Sequence, residues 1–347
     1  MGQLTPEFLF DVESRMRVLS EREYERLTGN LIWTRMAKEM SSQSKQERLL
    51  WLLDTAMIEY GSRLGGEVEF DQILAKDTQF VAKAATAGLK LNRFQLEDHD
   101  GGGVQLAAHW ARQMGSYAAY WPQKQVLKAI RDGGAASSTA YDGKVFFATD
   151  HPNNPFDSAA GDYANDLTGA ASGSYPGAVP IGGATTVDVA LDNLGKVFAY
   201  IQALKMPNGE DPRMLRPAFI MAPPALTPRV QQLTDAKFIA QAAASGGGSA
   251  DVAAVIRKWG LGEPLEAPEL AANFGGSDST YYIGVEQMGA SDLGALTYVN
   301  REPFSIVWNG EMTDAQLARA NELQWVTRGR NVVGYGHPYL LFRCQAT

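Results

Sequence analysis

The 347-residue sequence holds one cysteine and four histidines. It has no apolar run near the ~20 residues needed to span a bilayer. The single cysteine, Cys344, excludes an internal disulfide framework and a cysteine-based zinc cluster, and fits a chain that folds in a reducing cytoplasm. It reads as a small strand residue. The first turn, with Glu7, Asp11 and Glu13, lacks the basic and apolar regions of a secretion signal. Pro6 stands where a myristoylation site needs Ser or Thr, so no address or lipid anchor is expected. There is no block of Lys or Arg, and the net charge is −8. The electrostatic footprint of a nucleic-acid binder is therefore missing, and the negative charge would keep a concentrated subunit soluble.

What is present has the balance of a globular protein, 45% hydrophobic and 20% charged. Its length suggests roughly two or three packed units. Thr5-Pro6-Glu7 supplies an N-cap, a proline at the first helical position and an acid facing the helix dipole. Phe8, Val12, Met16 and Leu19 then follow at helical spacing. A second amphipathic helix is expected over residues 45–60 from Leu49, Leu52, Leu53, Ala56 and Met57. Short strands are expected at 67–74, 78–84 and 89–96, with turns at Lys76-Asp77 and Ala87-Gly88.

A long helix, roughly 40 Å, is expected from 103 to 132. It carries a stripe of Ala107, Ala108, Ala111, Gly115, Ala118 and Ala119, a bend or division at Pro122, and a stop at Gly133-Gly134. Residues 159–183 read as a long surface loop. Thr185 and Asp188 form a capping box for a helix through Val187, Leu191, Leu194, Phe198 and Ile201. Residues 217–222 read as a buried strand before Pro223-Pro224, with a helix opened by Thr227-Pro228. A flexible tract at 242–248 precedes a short helix at 251–259. Further strands are expected at 281–285, 296–299, 305–308, 324–327 and 339–343.

Few constellations offer chemistry. Glu97-Asp98-His99-Asp100 brings oxygen and imidazole ligands together, but carboxylates ahead of a helix are favoured by its dipole alone, and a solvated capping turn is the simpler reading. Asp150-His151-Pro152 sets a carboxylate beside an imidazole, yet adjacent residues rarely reach triad geometry and no Gly-x-Ser-x-Gly elbow accompanies them. Gly101-Gly102-Gly103 lacks the lysine of a phosphate loop, and Gly334-Tyr335-Gly336 is too short for a dinucleotide fingerprint. Trp110, Tyr117, Tyr120 and Trp121 lack the interleaved basic residues of a base-stacking platform and read as packing. The residues alone reach a mixed α+β protein with arms and loops.

The run Tyr141-Asp142-Gly143-Lys144-Val145-Phe146-Phe147-Ala148-Thr149-Asp150-His151-Pro152 resembles the Mu-like bacteriophage major head subunit family. In that family a Tyr-Asp-Gly, a short aromatic strand and Thr-Asp-His-Pro follow a long helix. Phe94 to Asp98, Met114-Gly115, Trp121-Pro122, Leu127 and Gly133 match upstream. Downstream, residues 217–226, then Arg328-Gly329-Arg330 and Gly334-Tyr335-Gly336, resemble the family's later strands. The first sixty residues are more charged than in that family.

The resemblance implies the Hong Kong 97 phage-type capsid fold. Its parts would be an N-terminal helical arm at 1–60, an extended β loop at 61–98, a peripheral domain with spine helix and long loop at 99–183, and an axial domain at 184–315. Strands at 316–347 would return to the peripheral domain. The implied function is a major capsid protein of a tailed phage or prophage, self-assembling into hexamers and pentamers of an icosahedral shell around double-stranded DNA, which is enclosed non-specifically. Scaffold, portal and decoration proteins are the implied partners, with no membrane, and assembly is placed in the host bacterial cytoplasm. No catalytic, cofactor-binding or metal-ligating residue is assigned. Removing residues 1–40 is expected to leave a folded core that no longer forms normal shells. The alternatives are a nanocompartment shell of the same fold and a metal-assisted hydrolase using Glu97 to Asp100 with His151.

Overall fold

A computed structural model describes residues 5–44, 46–52, 75–92, 102–172, 175–183, 185–207, 209, 211–235, 261, 264–288, 294–309 and 322–346. The cluster at 97–100, the strand expected at 67–74, and the tract and helix at 242–259 lie outside them.

Helix α1 (Pro6–Thr28) begins as its sequence dictates: Thr5 is extended, and its hydroxyl oxygen accepts from the Phe8 N–H at 3.2 Å. Its buried face is Leu9, Val12, Glu13 and Met16. A 3-10 turn at Trp33–Arg35 leads into β1 (Ala37–Ser41). The helix expected over 45–60 is not formed in its first half. Instead β2 (Gln46–Leu52) pairs antiparallel with β3 (Ala75–Val81), from Gln46 opposite Val81 to Leu52 opposite Ala75. A short apolar run does not discriminate helix from strand by spacing alone, and here the backbone pairing decides. Strand β4 (Lys83–Asn92) follows directly. The turns expected at Lys76-Asp77 and Ala87-Gly88 therefore sit inside β3 and β4, whose ladders run through them.

Helix α2 (Gly102–Arg131) has 30 residues and runs through a buried Pro122 without dividing. At 1.5 Å per residue it is about 45 Å long. The segment 144–147 does not form the expected aromatic strand. Only an isolated bridge, Thr139 to Val145, is made, and Phe146 and Phe147 are both buried where a strand would alternate them. The segment 159–183 is no surface loop either. It carries β6 (Asp162–Tyr163), which pairs with β5 (His151–Pro152), and then β7 (Asp166–Leu167), and it buries Tyr163, Ala164, Leu167, Val179 and Ile181. Of its glycines, Gly177 is closely packed: a Cβ there would meet the Ala171 nitrogen at 2.2 Å.

Helix α3 (Val187–Gln202) is capped by Thr186 with no side-chain cap bond, so the expected Thr185/Asp188 box is not formed. Strand β8 (Leu215–Ala222) is buried as expected and leads to α4 (Thr227–Asp235). Five more strands follow: β9 (Leu265–Glu266), β10 (Thr280–Gln287), β11 (Leu296–Trp308), β12 (Glu322–Tyr335) and β13 (Leu341–Gln345). The two short strands expected at 296–299 and 305–308 are one.

These strands make a four-stranded sheet in the order β1-β11-β12-β4 and a five-stranded sheet in the order β7-β13-β10-β8-β9. The C-terminal strands, expected to return together, are thus divided between the sheets: β12 is interior to the first and β13 to the second. The tail does not close an edge; β7 does. Likewise β11, expected to lie with β8 and β10, belongs to the other sheet.

Two cores share α2. Its first half, through Ala107, Ala111 and Met114, joins Leu9, Val12 and Met16 of α1 and Leu91, Ile306, Leu323 and Trp325 of the four-stranded sheet. Its second half, through Val126, Leu127 and Ile130, joins the five-stranded sheet, α3, α4 and Trp33 to Ala37. The small-residue stripe lets α1 approach α2 closely. A Cβ built on Gly115 would meet the Ser20 carbonyl oxygen at 2.2 Å, so only glycine permits that crossing. Segment 5–41 is therefore not a protruding arm. It covers one core, enters the other at Trp33 and Met36, and pairs β1 parallel with β11.

Two outcomes follow for thermal unfolding. Gly115→Ala forces backbone apart and should cost about 1–3 kcal/mol, lowering the melting temperature by several degrees. Removal of residues 1–40 should leave an aggregating chain and not a folded core, because it strips Leu9, Val12, Met16, Trp33 and Met36 from both cores. A soluble, cooperatively melting truncation would show that α1 is dispensable for folding.

Candidate functional site: a buried polar junction

Gly133 and Gly134 turn the chain out of α2 into the segment 138–153, which folds back on itself. Phe147 N–H donates to the Gly133 carbonyl at 3.0 Å, and Phe146 N–H to the Ser138 carbonyl at 2.7 Å. Pro152 pushes His151 into extended geometry, and His151 starts β5 with its side chain inward. The imidazole is fully buried. Its Nδ1 lies 2.5 Å from Asp142 Oδ2 and its Nε2 lies 3.2 Å from the Phe146 carbonyl oxygen. Both nitrogens face acceptors. Each nitrogen is thus within hydrogen-bonding reach of a group that can accept its N–H.

The sequence neighbour, Asp150, is not the partner of His151: it makes an ion pair with Lys144 at the surface. The Asp150–His151 orienter–base pairing considered from sequence is therefore not formed. The Asp142–His151 pairing is closed to solvent on both sides, with side-chain exposures of 1% and 0%. The imidazole also stacks on Tyr163, ring centroids 5.2 Å apart. Among the described residues no serine or cysteine is bonded to it, and the buried arrangement joins segments of the chain.

Asn165 extends the junction to the tail. Its side-chain oxygen accepts from Ala148 N–H at 2.9 Å, while its amide donates to the carbonyls of Phe146 at 2.7 Å and Pro338 at 3.1 Å. Phe146 packs on Tyr335 with centroids 5.0 Å apart. The Tyr335 hydroxyl lies 3.0 Å from the Ala129 carbonyl oxygen and 2.9 Å from Ser138 Oγ. Arg343 pairs with Asp166 and sits over Phe147. Arg213, buried, donates to the Lys205 carbonyl at 2.8 Å and stacks 4.2 Å from the centre of Tyr339. Asn165, Arg213 and the role of Asp142 were not found from sequence, since each acts through contacts distant along the chain. An isolated buried asparagine leaves no periodic signal.

The remaining candidates do not converge. His109 is exposed on α2, and Gly102 and Gly103 simply open that helix. Tyr120 donates to Glu269 at 2.7 Å and Trp121 to Asn331 at 2.8 Å, so these aromatics pack, while Tyr117 is exposed. Cys344 is buried in β13, and burial pushes its thiol well above the usual range, which leaves it unreactive. No group of three or more His, Cys, Asp or Glu that would hold a metal occurs among the described residues. Burial, with Arg213 adding to it, pushes His337 down to about 4.

Residues 20–175 match the family model described as Mu-like prophage major head subunit gpT. That stretch therefore carries the sequence pattern of the family, from the end of α1 through β7, and includes the whole loop around Asp142 and His151. No curated protein sequence matches the chain. Among solved structures, the capsid of the cyanophage P-SCSP1u superposes with a TM-score of 0.53 at 12% identity, over 91% of this chain and 88% of that one. The procapsid of bacteriophage JBD30 is 15% identical with a TM-score of 0.47, over 99% of this chain and 76% of that one. The capsid of JBD30 is 14% identical with a TM-score of 0.43, over 90% of this chain and 63% of that one, so this chain spans less than two thirds of that protein. The fold is that of a phage capsid subunit of the Hong Kong 97 type.

Two measurements probe the junction. His151→Ala or Asp142→Ala leaves one buried polar partner alone and should cost about 3–5 kcal/mol in denaturant unfolding. A loss below about 1 kcal/mol would show the pair to be incidental. For His337, a folded value near 4 against an ordinary 6.5 means the unfolded chain binds the proton more tightly. Stability is then whole above pH 6.5 and is lost as pH falls toward 4, by up to about 3 kcal/mol. His337→Gln should flatten that part of the profile relative to the parent.

Proposed function

We infer that this chain is the major capsid protein of a tailed phage or prophage, acting structurally and not as an enzyme. The match of residues 20–175 to the Mu-like major head subunit family carries this reading, and the shared capsid-subunit fold supports it. In this reading many copies assemble into hexamers and pentamers of an icosahedral shell. Closed rings of identical subunits need heterologous contacts that repeat around an axis, each burying ~1,200 Å² or more. The peripheral domain comprises α2 with the four-stranded sheet, and the axial domain comprises the five-stranded sheet with α3 and α4. The β2–β3 ribbon is the base of the extended loop, and segment 5–41 is a packed brace.

Packaged double-stranded DNA is enclosed without specific contact, consistent with a net charge of −8. Scaffold, portal and decoration proteins are the proposed partners. The proposed location is the virion capsid, assembled in the host bacterial cytoplasm. None of the described helices is long and apolar enough to cross a membrane.

Electron microscopy of the purified protein should show closed icosahedral particles, alone or with a co-expressed scaffold. A species that stays strictly monomeric under all conditions would overturn the reading.

A further inference from the structure

We propose that Arg213 and Met214 form a conformational latch for the seat of the β2–β3 ribbon. With Arg213 drawn inward the seat is held, and with Arg213 turned out the seat and the ribbon end resting on it are released. The latch is a property of one subunit and stands with or without the shell.

Arg213 is 4% exposed, yet among the described residues no carboxylate pairs with it. Its guanidinium lies 4.2 Å from the centre of the Tyr339 ring and 5.5 Å from that of Tyr163, and donates to the carbonyls of Lys205 at 2.8 Å and Asn153 at 3.2 Å. Ring faces and two carbonyls return only part of the hydration that a buried cation gives up. The next residue carries a second cost. Met214 has a φ of 53°, the one positive value of a non-glycine among the described residues, and its side chain is 56% exposed, so burial does not offset the strain. One motion relieves both: returning Met214 to negative φ swings Arg213 into water. The backbone there is lightly tied, by the Arg213 N–H to the Leu204 carbonyl at 2.8 Å, an isolated bridge between Lys205 and Pro212, and the Met288 N–H to the Met214 carbonyl at 3.2 Å. The motion therefore breaks few bonds.

The inward position reaches the ribbon through the turn at 153–157. Asn153 bonds to Ala160 and Gly161 through its N–H groups, and its carbonyl is taken by Arg213. Its Oδ1 is buried without a donor, which marks the turn as imperfectly seated. The turn closes through the Phe156 N–H to Asn154 Oδ1 at 3.0 Å and presents a partly exposed Phe156 ring. Lys76, at the start of β3, lies 5.5 Å from the centre of that ring. Phe80, near the other end of β3, is anchored against Gly334, where a Cβ would meet it at 2.2 Å. The Lys76 end of the ribbon therefore leans on a turn whose far side Arg213 holds.

Hydrogen exchange read by mass spectrometry on the full chain tests the latch, with the amides of β8 as the reference for global opening. Met214→Gly removes the strain of the inward state and should slow exchange at 153–157 and at 75–78 by about fivefold. Arg213→Gln should speed exchange at both places by about tenfold while β8 stays protected. In a Phe156→Ala background each change should still act on 153–157 and no longer on 75–78, which isolates the coupling through that ring. If Arg213→Gln also deprotects β8, Met214→Gly, which stabilises the inward state, decides alone. Exchange at 153–157 that Met214→Gly leaves unchanged or speeds overturns the latch. An effect on 75–78 that persists without Phe156, or is missing with it, overturns the route to the ribbon.

Discussion

Helix α2 can serve two cores only because its first half carries almost no side chains that would hold neighbours away. Gly115 lets the Ser20 backbone come to a distance that a single methyl group would forbid. Ala107 and Ala111 let Leu9, Val12 and Met16 interlock with Trp325 from the opposite side. Past Pro122 the same helix turns to large side chains, Val126, Leu127 and Ile130, and the neighbour changes from a helix to the five-stranded sheet. Pro122 costs one helical hydrogen bond, and the packing on both sides keeps the helix whole. The relative placing of the two sheets follows from this one rod. Trp121 fixes β12 through Asn331, and Tyr120 and Gln123 fix the 268–270 turn through Glu269.

The junction after α2 uses a different principle. A turn-rich segment has few ladder hydrogen bonds, so its buried carbonyls must be satisfied by side chains. Phe146 offers a carbonyl that both His151 and Asn165 fill. Asp142 holds the imidazole from the other side, and Asn165 reaches the tail at Pro338. Each of these groups would be costly to bury alone, and together they leave few alternatives for the chain path. In the shell reading many copies need one shape, and the hydrogen bonds of Asp142, His151 and Asn165 restrict the chain path at this junction. That is a physical reason for His151 and Asp142 to be buried together.

Much of this was legible from sequence where a signal is periodic or a cap is local. The Thr5-Pro6 start of α1, the span of α2 and the buried β8 follow from spacing and capping alone. The order of the matching motifs also led to the capsid fold. The failures share a cause. Residues 46–52 have an apolar spacing compatible with helix or strand, and a partner beyond position 75 chose the strand. The segment 159–183 looks polar and small, so it reads as a surface loop, but β13 and α3 draw Leu167, Val179 and Ile181 inward. The junction was visible as a motif, and the Asp150-His151 pairing was rightly set aside, but the true partner, Asp142, lies nine positions away and left no local signal.

The surface of the subunit follows from the same economy. Among the described residues the exposed large apolar side chains are spread over the surface, including Phe10 and Val18 on α1, Leu106 and Tyr117 on α2, Val189 on α3, and Met214, Phe274 and Met288. None is large enough alone to drive association, and a net charge of −8 opposes it over a Debye length of about 8 Å. In the shell reading, contacts between copies are then spread over many small patches, each satisfied in one relative orientation. Such contacts are weak one at a time, which lets misplaced subunits leave. They become strong when a ring closes, because every copy is then held on two sides. A soluble subunit and a durable shell are compatible on that condition.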